Sequence, residues 1–213
     1  MRLKDEVEFF NIMGLKEEEV VIIREKTIRA NLAYSIREYK KREEMEVLKA
    51  LVQGKLEEYK TGKLIIYINN IDKGQTIVDE LMAEIYNIKI GNKEMKKKVL
   101  RRIREGQERV WVATNALGVG IDILDIRVVI HLSPKNKLRD YVQESGRVGR
   151  DGSKGEGIII RAVLKFGTGV IGAGKTWVEK EMKEMMSVDV CRRVVINREM
   201  DGRGDRASYE IGE

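Results

Sequence analysis

The sequence predicts an α/β protein built on a parallel sheet that helices cover on both faces. Two observations lead to this fold class. Short apolar runs of strand length, such as residues 64–68 (LIIYI), do not alternate with polar residues, as expected when both faces of a strand are buried. These runs alternate with helical stretches of about 10 to 15 residues, the order in which parallel strands and crossover helices follow one another.

The elements are expected in the following order. A short helix runs from about residue 4 to residue 13 and ends at Gly14, and β-prone runs follow at 20–24 and 31–36. Residues 41–60 repeat apolar side chains at the three- and four-residue spacing of an amphipathic helix, namely Met45, Leu48, Leu51, Val52 and Leu56. Further strands are predicted at 64–68, 109–113, 127–130 and 157–164, and further helices at 72–86, 92–105, 137–146 and 176–186.

Three parts are expected along the chain. Residues 1–40 lead into the main domain, which occupies 41–165 and carries the predicted sheet. Residues 166–213 begin with a glycine-rich connection and continue as a short helical appendage, with a polar tail from residue 201 that is expected to fray.

Composition restricts the classes of protein. The 41 Lys and Arg against 35 Asp and Glu give a net charge of +6, which is compatible with a polyanionic partner without requiring one. A single cysteine, Cys191, and a single histidine, His131, exclude an internal disulfide and a metal cluster of soft ligands. No apolar run approaches the roughly 18 residues of a membrane span, and the charged N-terminus is unlike a signal peptide. An intracellular protein without a membrane partner is therefore expected.

Two segments that follow strands combine glycines with functional side chains. Residues 113–122 (ATNALGVGID) offer a hydroxyl and a carboxylate on a backbone that another molecule could approach closely, although a plain glycine-rich turn is an equal alternative. Residues 141–152 (YVQESGRVGRDG) place Arg147 and Arg150 three positions apart between glycines. Two guanidinium groups near a helix end suit contact with phosphate oxygens, whereas two arginines alone would more often form a solvated basic turn.

Taken together, these segments resemble motifs V and VI of superfamily 2 helicases. Their residue sequences are similar to those of the RecQ family of DNA helicases in particular. Residues 128–131 (VVIH) stand between them, 64–69 resemble the strand of motif IV, and 27–34 (TIRANLAY) resemble the RecQ lead into the second lobe. The resemblance covers roughly residues 12–165. It implies a RecA-like fold, specifically the C-terminal lobe of the two that a helicase uses, and the tail is similar to fungal telomere-linked RecQ-like helicases.

The resemblance implies roles for individual residues at an ATP cleft between two lobes. Arg150 is expected to be the arginine finger, Arg147 also to face the phosphates, and Gln143 to couple the nucleotide state to lobe closure. Asp122 and Gly120 are expected on the nucleotide side, with Asp122 meeting the ribose or bridging to motif VI.

The same resemblance implies contacts with DNA, single-stranded or forked, and movement in the 3′ to 5′ direction. Thr114 and Asn115 are expected near the DNA phosphate backbone, together with Asn69 and Asn70 in the loop after the motif IV strand. The basic residues of 93–104 could add electrostatic grip, but they surround much of the helix, which favours a solvated face.

ATP, and the Mg²⁺ that accompanies it, are expected to be shared with a first RecA-like lobe, in cis or in trans. No P-loop or Asp-Glu-x-His box precedes Leu64, and the isolated chain is not expected to hydrolyse ATP. Two alternatives stay open: a non-catalytic nucleic-acid-binding remnant, and an independent ATPase using Lys175 in residues 169–176 (GVIGAGKT), which fit the P-loop pattern. His131 is expected to be a core residue at a strand end.

The C-terminal part resembles only the beginning of the RecQ zinc subdomain. Cys191 is a single candidate ligand where a structural zinc site needs four, so zinc binding is not expected. By resemblance, the chain is expected in the nucleus, with roles in DNA repair and recombination. The incomplete match at both ends suggests a gene fragment, a degenerate copy or a deliberately cut domain.

Overall fold

The computed structural model describes residues 5–23, 26–40, 42–81, 83–86, 93–106, 108–114, 123–163, 178–187 and 190–202. Six strands form one sheet in the order β1-β6-β5-β2-β4-β3, and every neighbouring pair is parallel. The strands are β1 (Leu32–Tyr39), β2 (Lys63–Tyr67), β3 (Glu84–Tyr86), β4 (Val110–Ala113), β5 (Ile126–His131) and β6 (Gly155–Ala162). The predicted parallel α/β fold is therefore confirmed.

Seven α-helices lie within the described ranges, with a 3-10 turn at Glu17–Glu19. The helices are α1 (Glu6–Met13), α2 (Glu44–Glu58), α3 (Ile71–Leu81), α4 (Lys93–Glu105), α5 (Leu138–Ser145), α6 (Lys180–Met185) and α7 (Arg192–Asp201). None of them is long and apolar enough to cross a membrane.

Helices cover both faces of the sheet. On one face α2 and α3 pack over a cluster that includes Leu64 and Ile66 of β2. The alternate residues of the same strand, Ile65 and Tyr67, point to the opposite face, because successive side chains of a strand alternate. On that second face, α4 packs over one end of the sheet, and α5, α6 and α7 pack over the other.

The structure corrects two local expectations and adds one helix. Residues 84–86 form β3 and not the end of a helix, since α3 stops at Leu81 and the next residues pair with β4. Residues 20–23 belong to no strand, and Val21 and Ile23 are 85% and 89% exposed. Helix α7 was not expected from the sequence; its buried positions include Val195, Ile196 and Met200, which pack on α5 and α6.

Candidate functional site

The two arginines of the predicted motif lie on a turn that follows α5, and residues 146–153 are called the arginine turn below. Its backbone is tied to the sheet, because the amide of Gly149 donates to the carbonyl of Ile126 at 2.8 Å. Gly149 has a φ of +58°, and a Cβ there would lie 2.3 Å from the carbonyl oxygen of Ser153. Only glycine satisfies both conditions, so the spacing of glycines around the arginines has a direct structural cause.

The two arginines differ in exposure. Arg147 is 5% exposed, whereas Arg150 is exposed, and so is Gln143 on α5. Burial, together with the charge of Glu144, raises the pKa of the Tyr67 hydroxyl, while Arg147 and Arg150 act on that pKa in the opposite direction. Both guanidinium groups are therefore within electrostatic reach of Tyr67. The turn therefore carries one exposed arginine, Arg150, and one buried arginine, Arg147.

A buried polar group holds α5 to the end of β5. The Nε2 atom of His131 lies 2.8 Å from the Oε2 atom of Glu144, and the Nζ atom of Lys135 lies 2.9 Å from the same oxygen. The His131 ring stacks on Tyr67 with centroids 5.4 Å apart and meets Tyr141 at 4.8 Å. The prediction that His131 is a core residue is confirmed.

The protonation states in this group follow from its surroundings. Burial lowers the pKa of His131, and its contacts with Glu144 oppose that effect without reversing it. Burial would raise the pKa of Glu144, but His131 and Lys135 more than offset this, so the pKa of that carboxyl is lowered. A neutral imidazole therefore donates from Nε2 to an ionised carboxylate. Sequence reasoning missed Glu144 and Lys135; the available signal was a charged residue between Val142 and Ser145 on the buried side of α5.

The residues expected near DNA follow the carboxyl ends of two strands. Thr114 comes directly after β4, and its buried hydroxyl has no hydrogen-bond partner among the described residues. Asn69 and Asn70 follow β2 and are exposed. The Oδ1 atom of Asn70 accepts from the amides of Asp72 and Lys73 at 2.8 and 3.2 Å, so this side chain caps the start of α3. Asn69 is the better placed of the two asparagines for an external ligand.

The backbone of the arginine turn and the residues expected near DNA lie at opposite ends of the sheet, whereas the side chains of Arg147 and Arg150 act on Tyr67 at the carboxyl end. The arginine turn is tied to Ile126, the first residue of β5, whereas Asn69 lies beyond Tyr67, which pairs with the last residue of β5. At about 3.3 Å per residue, the length of β5 separates the two levels by roughly 16 Å. The backbone of the arginine turn therefore lies at the level of the first residue of β5.

Several predicted features lie outside the described residues. These are Asn115, Gly120, Asp122 and the P-loop-like segment 169–176 with Lys175. The basic helix α4 is described in large part. Its residues Val99, Leu100 and Ile103 pack toward the core, while its described basic side chains are exposed. This exposure agrees with the prediction that the basic residues of 93–104 form a solvated face.

Comparisons with known proteins find a helicase domain and RecQ helicases among the relatives. The model of the helicase conserved C-terminal domain matches residues 43–152. The chain is 33% identical over 190 residues to the ATP-dependent DNA helicase Q1 of Mus musculus, which covers 81% of this chain and 28% of that protein. It is 32% identical over 136 residues to the ATP-dependent DNA helicase RecQ of Pasteurella multocida, covering 62% of this chain and 20% of that protein.

Among solved structures, the Saccharomyces cerevisiae Dbp5 bound to RNA and ADP BeF3 superposes with a TM-score of 0.61. It is 19% identical and covers 75% of this chain and 43% of that one, which is a likeness of fold. The chain spans about a quarter of the length of the curated Q1 relative. On the domain match and the RecQ relatives together, the chain belongs to the RecQ family of helicases, as its RecA-like C-terminal lobe.

Proposed function

We propose that this chain works as the second RecA-like lobe of an ATP-dependent 3′ to 5′ DNA helicase and supplies Arg150 as the arginine finger. ATP and Mg²⁺ would be held mainly by a first lobe, in cis or in trans. The observation that carries the proposal is an exposed Arg150 on a turn whose glycine conformation and backbone hydrogen bonds are fixed. A preorganised cation stabilises charge that develops on a transferring phosphoryl group.

The residues of the turn fit an anionic group. The neighbouring carboxylate of Asp151 is engaged by Arg127, with N–O distances of 2.6 and 3.1 Å, which reduces its power to neutralise Arg150. Arg147, which is 5% exposed, adds a second guanidinium group three residues before Arg150. Gln143, exposed one turn earlier on α5, is assigned the coupling of nucleotide state to lobe closure. Asp122 and Gly120 are proposed on the nucleotide side by resemblance.

DNA is the proposed polymer partner, single-stranded or forked. The RecQ relatives are named DNA helicases, which supports DNA, whereas one further relative is named a putative ATP-dependent RNA helicase. The proposed contacts are Thr114, Asn69 and Asn70, which follow the carboxyl ends of β4 and β2, and, by resemblance, Asn115. By the same relationship, we propose a nuclear location and a part in DNA repair and recombination.

An ATPase measurement with a RecQ-family first lobe, added in trans or fused before residue 1, tests the finger. We expect the combined protein to hydrolyse ATP in the presence of single-stranded DNA. Arg150→Ala should lower kcat by about 10³-fold or more, the scale on which an arginine finger acts. Arg139→Ala is the matched control, because Arg139 is an exposed arginine on α5 whose nearest described carboxylate is 3.9 Å away. Full activity in Arg150→Ala would contradict the proposal.

The isolated chain separates the proposal from its alternatives. We expect no turnover from the chain alone, with binding to single-stranded DNA that weakens as salt rises. Turnover that Lys175→Ala abolishes would favour the independent ATPase. DNA binding without any activity on addition of a first lobe would favour the non-catalytic remnant. Asn69→Ala and Thr114→Val should weaken DNA binding several-fold if their end of the sheet meets the strand.

A further inference from the structure

Residues 27–32, which precede and begin β1, hold the arginine turn from outside it. The Nη1 atom of Arg29 donates to the carbonyl of Gly149 at 2.9 Å, and its Nη2 atom donates to the carbonyl of Gly146 at 2.7 Å and also to that of Val148. A single guanidinium group therefore donates hydrogen bonds to three carbonyls within residues 146–149. Arginine suits this task because its planar fork presents several donors in a fixed geometry.

Asn31 contacts the same turn two residues farther along. Its Nδ2 atom donates to the carbonyl of Gly149 at 2.8 Å and to the carbonyl of Ser153 at 2.7 Å. These two acceptors lie on either side of Arg150 and Gly152, so the amide closes the loop on which Arg150 stands. The carbonyl of Asn31 in turn accepts from the amide of Gly155 at 3.0 Å, which sets the start of β6.

The 27–32 segment is itself fixed by α7. Arg193 donates to the carbonyls of Ala30 and Leu32 at 3.2 and 2.7 Å. The carboxylate of Asp201 accepts from the amide of Thr27 at 3.0 Å and also from its hydroxyl. Arg29 and Asn31 therefore extend from a backbone segment that α7 holds in place. Through their hydrogen bonds they connect the arginine turn to that fixed segment.

The direction of these bonds matters for an anion. Carbonyl oxygens repel phosphate oxygens, and Arg29 and Asn31 draw the carbonyls of residues 146, 148, 149 and 153 toward themselves. Arg29 is half-buried and its donors are directed to the backbone, which separates its role from that of exposed Arg150. Burial lowers the pKa of Arg29; Tyr34 opposes this, and the charge of Arg150 adds to the lowering. The two arginines are thus electrostatic neighbours.

We propose that Arg29 and Asn31 are positioning residues of the arginine turn: they fix its backbone so that Arg150 is held ready for the transferring phosphoryl group. The inference rests on the proposed function for its catalytic consequence. The statement that Arg29 and Asn31 fix the backbone of the turn does not depend on the proposed function. A displacement of a catalytic group by about 1 Å can cost on the order of 100-fold in rate, which sets the size of the expected effect.

The first test uses the isolated 213-residue chain and backbone hydrogen exchange. Arg29→Lys keeps the positive charge and removes the guanidinium group with its several donors. Asn31→Asp replaces the Nδ2 donor with an oxygen in a side chain of the same shape. We expect amides of the 146–153 turn to exchange about 10-fold faster in each variant. Arg161→Lys is the matched control, because Arg161 makes a two-nitrogen contact with Glu38 at the other end of the same strand pair. Unchanged exchange in a folded Arg29→Lys or Asn31→Asp chain overturns the inference.

The second test measures ATP hydrolysis with the first lobe supplied. Arg29→Lys should lower kcat by about 10- to 100-fold while the KM for ATP changes little, and Arg161→Lys should leave both unchanged. In an Arg150→Ala background, Arg29→Lys should have no further effect, because a positioning residue acts through the group it positions.

The two failures can be told apart. Activity that survives Arg150→Ala contradicts the proposed function, whereas loss of activity in Arg150→Ala with full activity in Arg29→Lys and Asn31→Asp contradicts only this inference. A lower kcat in Arg29→Lys that adds to the Arg150→Ala effect also overturns it, since that result indicates a general structural defect. Asn31→Asp covers the case in which Arg29→Lys does not fold, because it changes no side-chain size.

Discussion

At the scale of single residues, Glu144 shows how a charge can be kept in a core. Its carboxylate is largely buried, yet it accepts from His131 and pairs with Lys135, so the cost of removing it from water is offset by charge-assisted contacts. Lys135 also stands 5.3 Å from the centre of the Tyr67 ring, a cation–π distance. These contacts place α5 on β5, and α5 leads directly into the arginine turn.

His131 makes the stability of the chain depend on pH near neutrality. Its pKa in the folded state is lowered from 6.5, so the unfolded chain binds a proton in this range that the folded chain does not. The free energy of unfolding should therefore fall as the pH falls from 7.5 to 5.5, by up to about 1.4 kcal/mol per pH unit below 6.5. His131→Phe should flatten that slope and cost about 1–3 kcal/mol at pH 7.5, as measured by urea unfolding.

Tyr141→Phe is the control for this prediction. It removes the bond from the Tyr141 hydroxyl to the carbonyl of Gly157, at 3.2 Å in the same cluster, without removing a group that titrates near neutrality. It should lower the free energy of unfolding and leave the slope with pH unchanged. Since His131 is the single histidine of the chain, an equal slope in the wild type and His131→Phe would refute the assignment.

At the scale of elements, two glycines respond to alanine in opposite directions. A Cβ on Gly155, the first residue of β6, would lie 2.3 Å from Cγ1 of Val148 and 2.4 Å from the carbonyl oxygen of Arg127. Gly155→Ala should therefore cost about 1–3 kcal/mol by forcing β6 away from the arginine turn. A Cβ on Gly54, inside α2, meets nothing within 4 Å, so Gly54→Ala should stabilise by about 0.5–1 kcal/mol. Urea unfolding midpoints that move in the same direction would contradict this account.

The end of α2 depends on a side chain from another element. Arg109, just before β4, donates to the carbonyls of Gly62 and Leu56 at 3.1 and 3.4 Å and also to that of Tyr59. Arg109→Met would leave these acceptors without that donor and should cost about 1–3 kcal/mol in urea unfolding. Arg101→Met is the control, because Arg101 on α4 is 74% exposed and its ion pair is 3.8 Å long; its cost should stay below about 0.5 kcal/mol. Equal costs would show that Arg109 contributes no more than a surface arginine.

Elements that the sequence predicted are marked by their own residues, whereas the elements it missed depend on pairing or packing with other parts of the chain. The strand at 64–68 is marked by a continuous apolar run and the helix over 44–58 by its three- and four-residue apolar spacing, so local pattern was sufficient. The 84–86 strand is defined by its pairing with Trp111 and its neighbours in β4, and a three-residue strand has no period of its own. Helix α7 likewise has weak apolar periodicity, and its burial depends on α5 and α6.

At the scale of the whole molecule, the same distinction applies to the site. The order of residues in 141–152 was enough to select Arg147 and Arg150, because glycine spacing and arginine chemistry are local. The partners that hold them are 117 to 120 residues away in sequence, as with Arg29 and the carbonyls of Gly146 and Gly149. Side-chain to backbone bonds over such separations leave no pattern in a single sequence, and only the fold brings them together.

The C-terminal helices give the last prediction, which concerns the whole chain. Val195, Ile196 and Met200 of α7 are 0%, 0% and 7% exposed and pack against the α5 side of the sheet. Burying each such side chain stabilises by about 1.5–3 kcal/mol, so their loss removes roughly 5 kcal/mol or more from a domain whose total is typically 5–15. A chain ending at residue 187 should therefore unfold at a much lower urea concentration than the full chain.

A chain ending at residue 202 is the matched control for that truncation. It retains α7, which ends at Asp201, and the left-handed Gly202 whose amide bonds back to the carbonyl of Arg198. Its urea midpoint should lie well above that of the chain ending at residue 187. The shorter chain also loses Arg193 and Asp201, which anchor residues 27–32, so its 146–153 amides should exchange faster under conditions where it is still folded. Equal midpoints for both truncations would mean that α7 is an appendage and not part of the lobe's core.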